Sequence, residues 1–103
     1  MKYKDTLCQV KQAFYNYELA QIFILSGKQV NINVNSKSLT PEKYVEVINF
    51  VIKKLKKEEQ RILNNNFLEK DFQNWWCEYY SRSTYYRLSK EAYDNFLNLI
   101  KEI

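Results

Sequence analysis

One glycine and one proline in 103 residues restrict this chain more than any motif it carries. Strand-and-turn folds need special backbone positions at every corner, and those two residues fill most of them. The expectation is an all-α fold, a small helical domain. Its length suits a single core without staples. A hydrophobic fraction of 46% and an aromatic fraction of 17% exclude a disordered chain.

Several classes drop out on composition. No apolar run reaches the roughly 18 residues that would suggest a spanning helix, so no membrane partner is expected. The opening Met1-Lys2-Tyr3-Lys4-Asp5 lacks the apolar segment of a secretory signal. Cys8 and Cys77 stand far apart, which reads as two reduced thiols of a cytoplasmic protein rather than a disulfide frame. Histidine is absent and there is no Cys-x-x-Cys, so neither a metal site nor a cofactor is expected.

The single glycine and the single proline punctuate the chain. From about Tyr3 to Ser26, Leu7, Val10, Phe14, Tyr17 and Ile24 recur at helical spacing, interrupted by Gln21, and Gly27 follows where a left-handed cap belongs. This long N-terminal helix serves as core or as a dimer surface. In residues 28–39, Val30, Ile32 and Val34 alternate with polar residues, which predicts an extended polar loop covering the core. The other reading is an edge that pairs with a second copy. Thr40-Pro41-Glu42 then marks a helix start, with a capping hydroxyl, proline at the first helical position, and Leu39 and Tyr44 spaced as a hydrophobic staple. Residues 1–39 and 40–103 thus form two regions, packed as one compact domain.

Tyr44, Ile48, Val51 and Leu55, widened by Val45 and Ile52, make a core helix. The charge run Lys53-Lys54-Leu55-Lys56-Lys57-Glu58-Glu59 reads as a solvated helix junction. Gln60 to Leu68 predicts a shorter amphipathic helix, weakened by Asn64-Asn65-Asn66 because asparagine competes for backbone hydrogen bonds. Phe72, Trp75, Trp76 and Tyr79 give a further helical spacing, with Asp71 near its start where its charge suits the dipole. One tryptophan belongs to the core; the other lies across a seam or meets a partner.

The last helix should begin at Ser81, whose hydroxyl can cap the Thr84 amide. Tyr85, Leu88, Ala92, Phe96, Leu99 and Ile103 form its inner stripe, and Tyr93, Leu97 and Ile100 widen it, a hint of self-association. The outer side carries Ser83, Tyr86, Arg87, Lys90 and Asp94, with Arg82 on the first turn. Net charge is +4, and lysine outnumbers arginine thirteen to three, so two of three arginines on one helical face is informative. A short aromatic helix, a turn and this helix satisfy the helix-turn-helix plan. Arg82 and Arg87 would read guanine edges or clamp phosphates, Ser83 would hydrogen-bond bases, and Tyr86 would meet a sugar or a thymine methyl. Ser81, Thr84 and Lys90 suit phosphates.

The run Tyr80-Ser81-Arg82-Ser83-Thr84-Tyr85-Tyr86-Arg87-Leu88, followed by Ala92 and Phe96, resembles the C-terminal signature of the ArpU/RinA family of phage-type transcription regulators. Leu55-Lys56-Lys57-Glu58-Glu59-Gln60-Arg61-Ile62-Leu63 with Phe67 is similar to the segment that opens region 4 of sigma-70 factors. The resemblance spans about residues 41–100. It implies a sigma-70 region 4-like helix-turn-helix, double-stranded DNA as partner, and contact with RNA polymerase. The chain departs from the pattern at Trp75-Trp76-Cys77, at Asn65, and in a turn without glycine. The alternative is a protein-interaction module of the same fold that binds RNA polymerase or another protein without DNA. Catalysis is not expected, since Glu58-Glu59 and Glu69-Asp71 read as solvated acids rather than a catalytic pair.

Overall fold

The computed structural model describes residues 3–70 and 72–103. It is mostly helical, with four α-helices and one small antiparallel ribbon among those residues. Helix α1 (Tyr3–Ser26) buries Thr6, Val10, Phe14, Tyr17 and Ala20. Its inner stripe therefore ends a turn earlier than expected: Ile24 is exposed, and Leu25 is 89% exposed. Gly27, at φ 72°, closes the helix; the Lys28 amide donates to the Phe23 carbonyl (2.9 Å) and the Gly27 amide to the Ile24 carbonyl (3.3 Å). That pair is the Schellman pattern, which needs the left-handed residue at this point.

Residues 28–39 correct the expectation of a covering loop. Strands β1 (Ile32–Val34) and β2 (Lys37–Leu39) pair as a hairpin in the register Ile32↔Leu39, Asn33↔Ser38, Val34↔Lys37. Asn35 (φ 49°) and Ser36 (φ 67°) form its two-residue turn. Positive φ at both positions matches the twist of the flanking strands. An isolated hairpin is marginal in water, and this one has outside support: Ile32 is buried, and the Asn35 side-chain Nδ2 donates to the Ile100 carbonyl (2.6 Å).

Helix α2 (Pro41–Lys54) starts as expected, with the Thr40 hydroxyl accepting from the Lys43 amide (3.2 Å) and Pro41 at its head. It buries Tyr44, Ile48 and Val51. The Tyr44 hydroxyl donates to the Ala13 carbonyl (2.6 Å) and the Tyr17 hydroxyl to Asn49 (2.8 Å), which fixes α2 against α1. Leu55 turns inward at the junction while Lys53, Lys54, Lys56, Lys57 and Glu58 stay exposed, so the charge run is largely solvated. Glu59 is the exception at 6% exposure: it accepts from the Lys56 amide (3.0 Å) and from the Asn95 side chain.

Helix α3 (Lys57–Leu63) does not run on to Leu68 as an α-helix. It widens into a π-helical turn (Asn64–Leu68), closed by the Glu69 amide donating to the Asn64 carbonyl (2.7 Å). The Asn65 side chain donates to the Arg61 carbonyl (2.8 Å), the competition for backbone acceptors that asparagine brings to a helix. Beyond it, Phe72, Trp75, Trp76 and Tyr79 do not form an α-helix. Only a 3-10 turn (Trp75–Glu78) is present, and Phe72 is 75% exposed. The expected role of Asp71 falls outside the described residues.

Helix α4 (Arg82–Lys101) packs on α1, α2 and α3 together. Being touched from three sides, it buries a wider arc than its inner stripe: Tyr93 and Leu97 are inside with Tyr85, Ser89, Ala92 and Phe96. The apolar surplus that suggested self-association on this helix is therefore largely absorbed within the chain. Phe14 sits at the centre of the core, stacked on Phe67 (5.0 Å) and on Phe96 (5.1 Å). Among the described residues, no helix is long and apolar enough to cross a membrane.

Candidate nucleic-acid interface

The start of α4 is built by its own sequence. Ser81 takes an extended backbone (φ −68°, ψ 162°), and its hydroxyl accepts from the Thr84 amide at 3.3 Å. It also donates to the Thr84 hydroxyl at 2.9 Å. Ser81 and Thr84, expected to meet phosphates, are thus joined in the cap; Ser81 is exposed and Thr84 half-buried. Arg82, Ser83, Tyr86, Arg87 and Lys90 are all exposed. At 100° per residue they span an arc of roughly 140°. The seven sequence-derived residues therefore lie together on the first three turns. Farther along the same side, Tyr93 and Leu97 are covered, so the free face ends near Lys90.

Several of these side chains already have local contacts. The Arg87 guanidinium lies 3.4 Å from the Glu91 carboxylate one turn on, with the two side chains 62% and 53% exposed. Exposed pairs of this kind contribute about 0–1 kcal/mol, so a phosphate or a guanine can displace the carboxylate. The Arg82 guanidinium stands 5.9 Å from the Tyr86 ring centre. Tyr86, 44% exposed, also meets the edge of Tyr3 at 6.1 Å, which brings the first turn of α1 beside this face.

What holds α4 in place was not visible in the sequence. Asn66, in the π-helical turn, accepts from the Trp75 indole N–H (2.8 Å) and the Tyr85 hydroxyl (3.1 Å). Its amide nitrogen is 2.9 Å from the Tyr93 hydroxyl and 2.8 Å from that of Tyr85. One side chain thereby links α3, the 3-10 turn and α4. Trp76 lies flat on Tyr85, with ring centres 4.4 Å apart and planes 6° from parallel. The third arginine, Arg61, lies over the Tyr79 ring at 3.8 Å and near Trp75 at 5.6 Å. Both tryptophans are half-buried: Trp75 packs against the core and Trp76 crosses the seam to α4. The asparagine triplet was the available signal. Read as a weakness of the helix, it concealed the residue that organises the region.

Within this network the buried Tyr93 hydroxyl holds its proton firmly. Burial, followed by the nearby Tyr85 and Tyr3, pushes the Tyr93 pKa up from its ordinary value, and burial does the same to Tyr3. None of this supplies an acid or base near neutral pH. The arrangement presents a basic, hydroxyl-bearing face on a rigid helix. No family model matches the chain, and neither a curated protein nor a solved structure does.

Proposed function

We propose that the protein is a DNA-binding transcription regulator that places the start of α4 in the major groove. One observation carries this reading: Arg82, Ser83, Tyr86, Arg87 and Lys90 share a free face directly beyond a capped helix start. In it, α3 with its π-helical turn, the 3-10 turn and α4 take the roles of a sigma-70 region 4-like helix-turn-helix. Arg87 and Arg82 contact guanine edges or phosphates, Ser83 and Tyr86 contact bases or sugars, and Ser81, Thr84 and Lys90 lie along phosphates. The site of action is cytoplasmic, and RNA polymerase is a further partner.

Selection of bound duplexes from a random DNA pool tests the reading and yields the site. Arg87→Ala should then cost about 1–3 kcal/mol if the arginine reads a base, or lower the salt slope by about one if it holds a phosphate. Duplex affinity untouched by both Arg82→Ala and Arg87→Ala would sink it. A palindromic site would point to a homodimer with two-fold symmetry.

A second reading rests on the reduction of the expected first helix of the motif to the single turn Trp75–Glu78, with Phe72 and Tyr79 exposed. Aromatics favour protein interfaces, so this reading is a protein-interaction module on RNA polymerase without DNA. Capture of polymerase by a protein with no salt-sensitive duplex affinity would favour it.

A further inference from the structure

Beside the convex face of α4 lies a concave feature whose chemistry differs from that face. A groove of about 510 Å³ runs between the first half of α1, the π-helical turn and the start of α4, lined by Tyr3, Lys11, Lys70, Phe72, Trp76 and Tyr86 among others. A second recess of about 250 Å³ shares Lys11 and Lys70 with it and continues along α1 to Glu18. The main groove alone falls in the range of small-ligand sites, roughly 300–1,000 Å³.

The walls of this groove select a ligand by chemistry. Phe72 is 75% and Tyr86 44% exposed, an unfavourable state for two large rings unless something flat covers them. Trp76 is braced from behind by its stack on Tyr85, so the indole is held rigid in the wall. Gln73 and Asn74 add amides that can donate to and accept from a heterocycle's edge. Two lysines line the same space, which favours a ligand that also carries negative charge. Lys70 rests on Glu18 at 3.4 Å with both side chains largely exposed, a contact that an incoming anion can exchange.

We infer that this groove binds an unpaired nucleotide of a single-stranded nucleic acid, its base against the Phe72, Trp76 and Tyr86 rings and its phosphates between Lys11 and Lys70. Stacked base pairs of a duplex offer no free face to such walls, whereas every unpaired base does. The site adjoins the major-groove face and shares Tyr86 with it, but Arg82 and Arg87 do not line it, and Phe72, Lys11 and Lys70 belong to the groove and not to that face. Substitutions at Phe72, Lys11 and Lys70 therefore test single-strand binding apart from duplex binding at Arg82 and Arg87.

Trp75 and Trp76 are the only tryptophans, so intrinsic fluorescence reports on this region directly. Titration of the full chain with an oligothymidylate of about eight nucleotides should give a saturable change in emission that weakens with salt. Phe72→Ala, at a side chain too exposed to leave a cavity, should weaken binding about five-fold or more. Lys11→Ala and Lys70→Ala should each lower the salt slope by about 0.7. Glu18→Gln should tighten binding by freeing Lys70, an effect that a merely structural role would not produce. Arg82→Ala should leave oligothymidylate binding intact even where it abolishes duplex binding. No saturable change, or binding indifferent to Phe72→Ala and to both lysine substitutions, would overturn the inference. Weaker binding by Glu18→Gln would do so as well.

Discussion

At the start of α2, Thr40 sits at φ −65°, ψ 158° and its hydroxyl takes the Lys43 amide at 3.2 Å. At the start of α4, Ser81 sits at φ −68°, ψ 162° and takes the Thr84 amide at 3.3 Å. The caps are nearly superimposable in conformation, yet the first turns that follow differ in charge: Glu42 balances Lys43 in α2, and Arg82 stands without an acid in α4. In α2, Glu42 lies on the first turn and Lys53 and Lys54 on the last, each complementing the helix dipole. In α4 the first turn has no acid and opens with Arg82, a positive charge at the positive end of the dipole. The start of α2 is arranged for the chain's own stability. The start of α4 is arranged at some cost to it, and an anion placed there would remove that cost.

The largest expected effect tests how alike the two helices are in their anchoring. Each is held by a buried tyrosine. Burial pushes the Tyr44 pKa up to about 12, and it raises that of Tyr93 as well. In the unfolded chain both phenols ionise near pH 10. Above that pH the unfolded state binds fewer protons than the folded one, so stability falls as pH rises through the folded values and is fully present below about 10. Each tyrosine should contribute a loss of about 1.4 kcal/mol per pH unit in that window. Urea midpoints measured from about pH 8 to pH 11 should stay level and then drop. Tyr44→Phe and Tyr93→Phe should each flatten the drop, and a level profile throughout would refute the account.

Next in size is an effect that should separate the helices. Asn66→Ala would leave the Trp75 indole N–H and the Tyr85 and Tyr93 hydroxyls without their shared partner. Unsatisfied buried groups cost about 1–3 kcal/mol. Amide hydrogen exchange should show protection lost first in the 3-10 turn and the start of α4, with α2 retained. Equal loss in α2 would mean that Asn66 supports the whole core rather than the α4 side alone.

The same contrast explains what could be read from the sequence. Both caps, Pro41 and the Gly27 terminator were legible because each depends on neighbours within a few residues. The outward face of α4 was legible because a 3.6-residue period sorts Arg82, Ser83, Tyr86, Arg87 and Lys90 to one side. The segment holding Phe72, Trp75, Trp76 and Tyr79 was not, because intervals of three and four fit one long helix and also one tight turn. The Trp75 bond to Asn66 and the Trp76 stack on Tyr85, nine residues away in either direction, accompany the shorter form. The hairpin was half legible: Ile32 and Val34 alternated, but Lys37–Leu39 is a polar partner strand and the Asn35–Ser36 turn carries no glycine. Tyr93 and Leu97 looked surplus because periodicity cannot reveal that three helices meet on α4.

The two caps themselves give a smaller and more balanced comparison. Thr40→Ala and Ser81→Ala should each cost about 1 kcal/mol, since each strands one first-turn amide. Chemical denaturation should find the two variants within a few tenths of each other. Duplex binding should separate them: Ser81→Ala disturbs the helix start proposed to face DNA, whereas Thr40→Ala disturbs a start whose first turn carries Glu42. Loss of duplex affinity in the Thr40 variant alone would reverse the roles assigned to the two helices.

The smallest effect carries the opposite sign. Arg82→Glu would give α4 an acid in its first turn, like Glu42 in α2. Arg82 is exposed, and the Tyr86 ring beside it is 5.9 Å away, so little packing is lost. An acid at this position should stabilise the free protein by about 0.3–1 kcal/mol at low ionic strength, with the gain fading as salt is added. The same substitution places a carboxylate where a phosphate is proposed to lie, and it should abolish duplex binding at the salt where the parent chain binds. A more stable protein that no longer binds DNA is the outcome expected of an arginine kept for an anionic partner. A variant that loses stability would show that Arg82 serves the fold, and the contrast between the two helix starts would then lose its functional meaning.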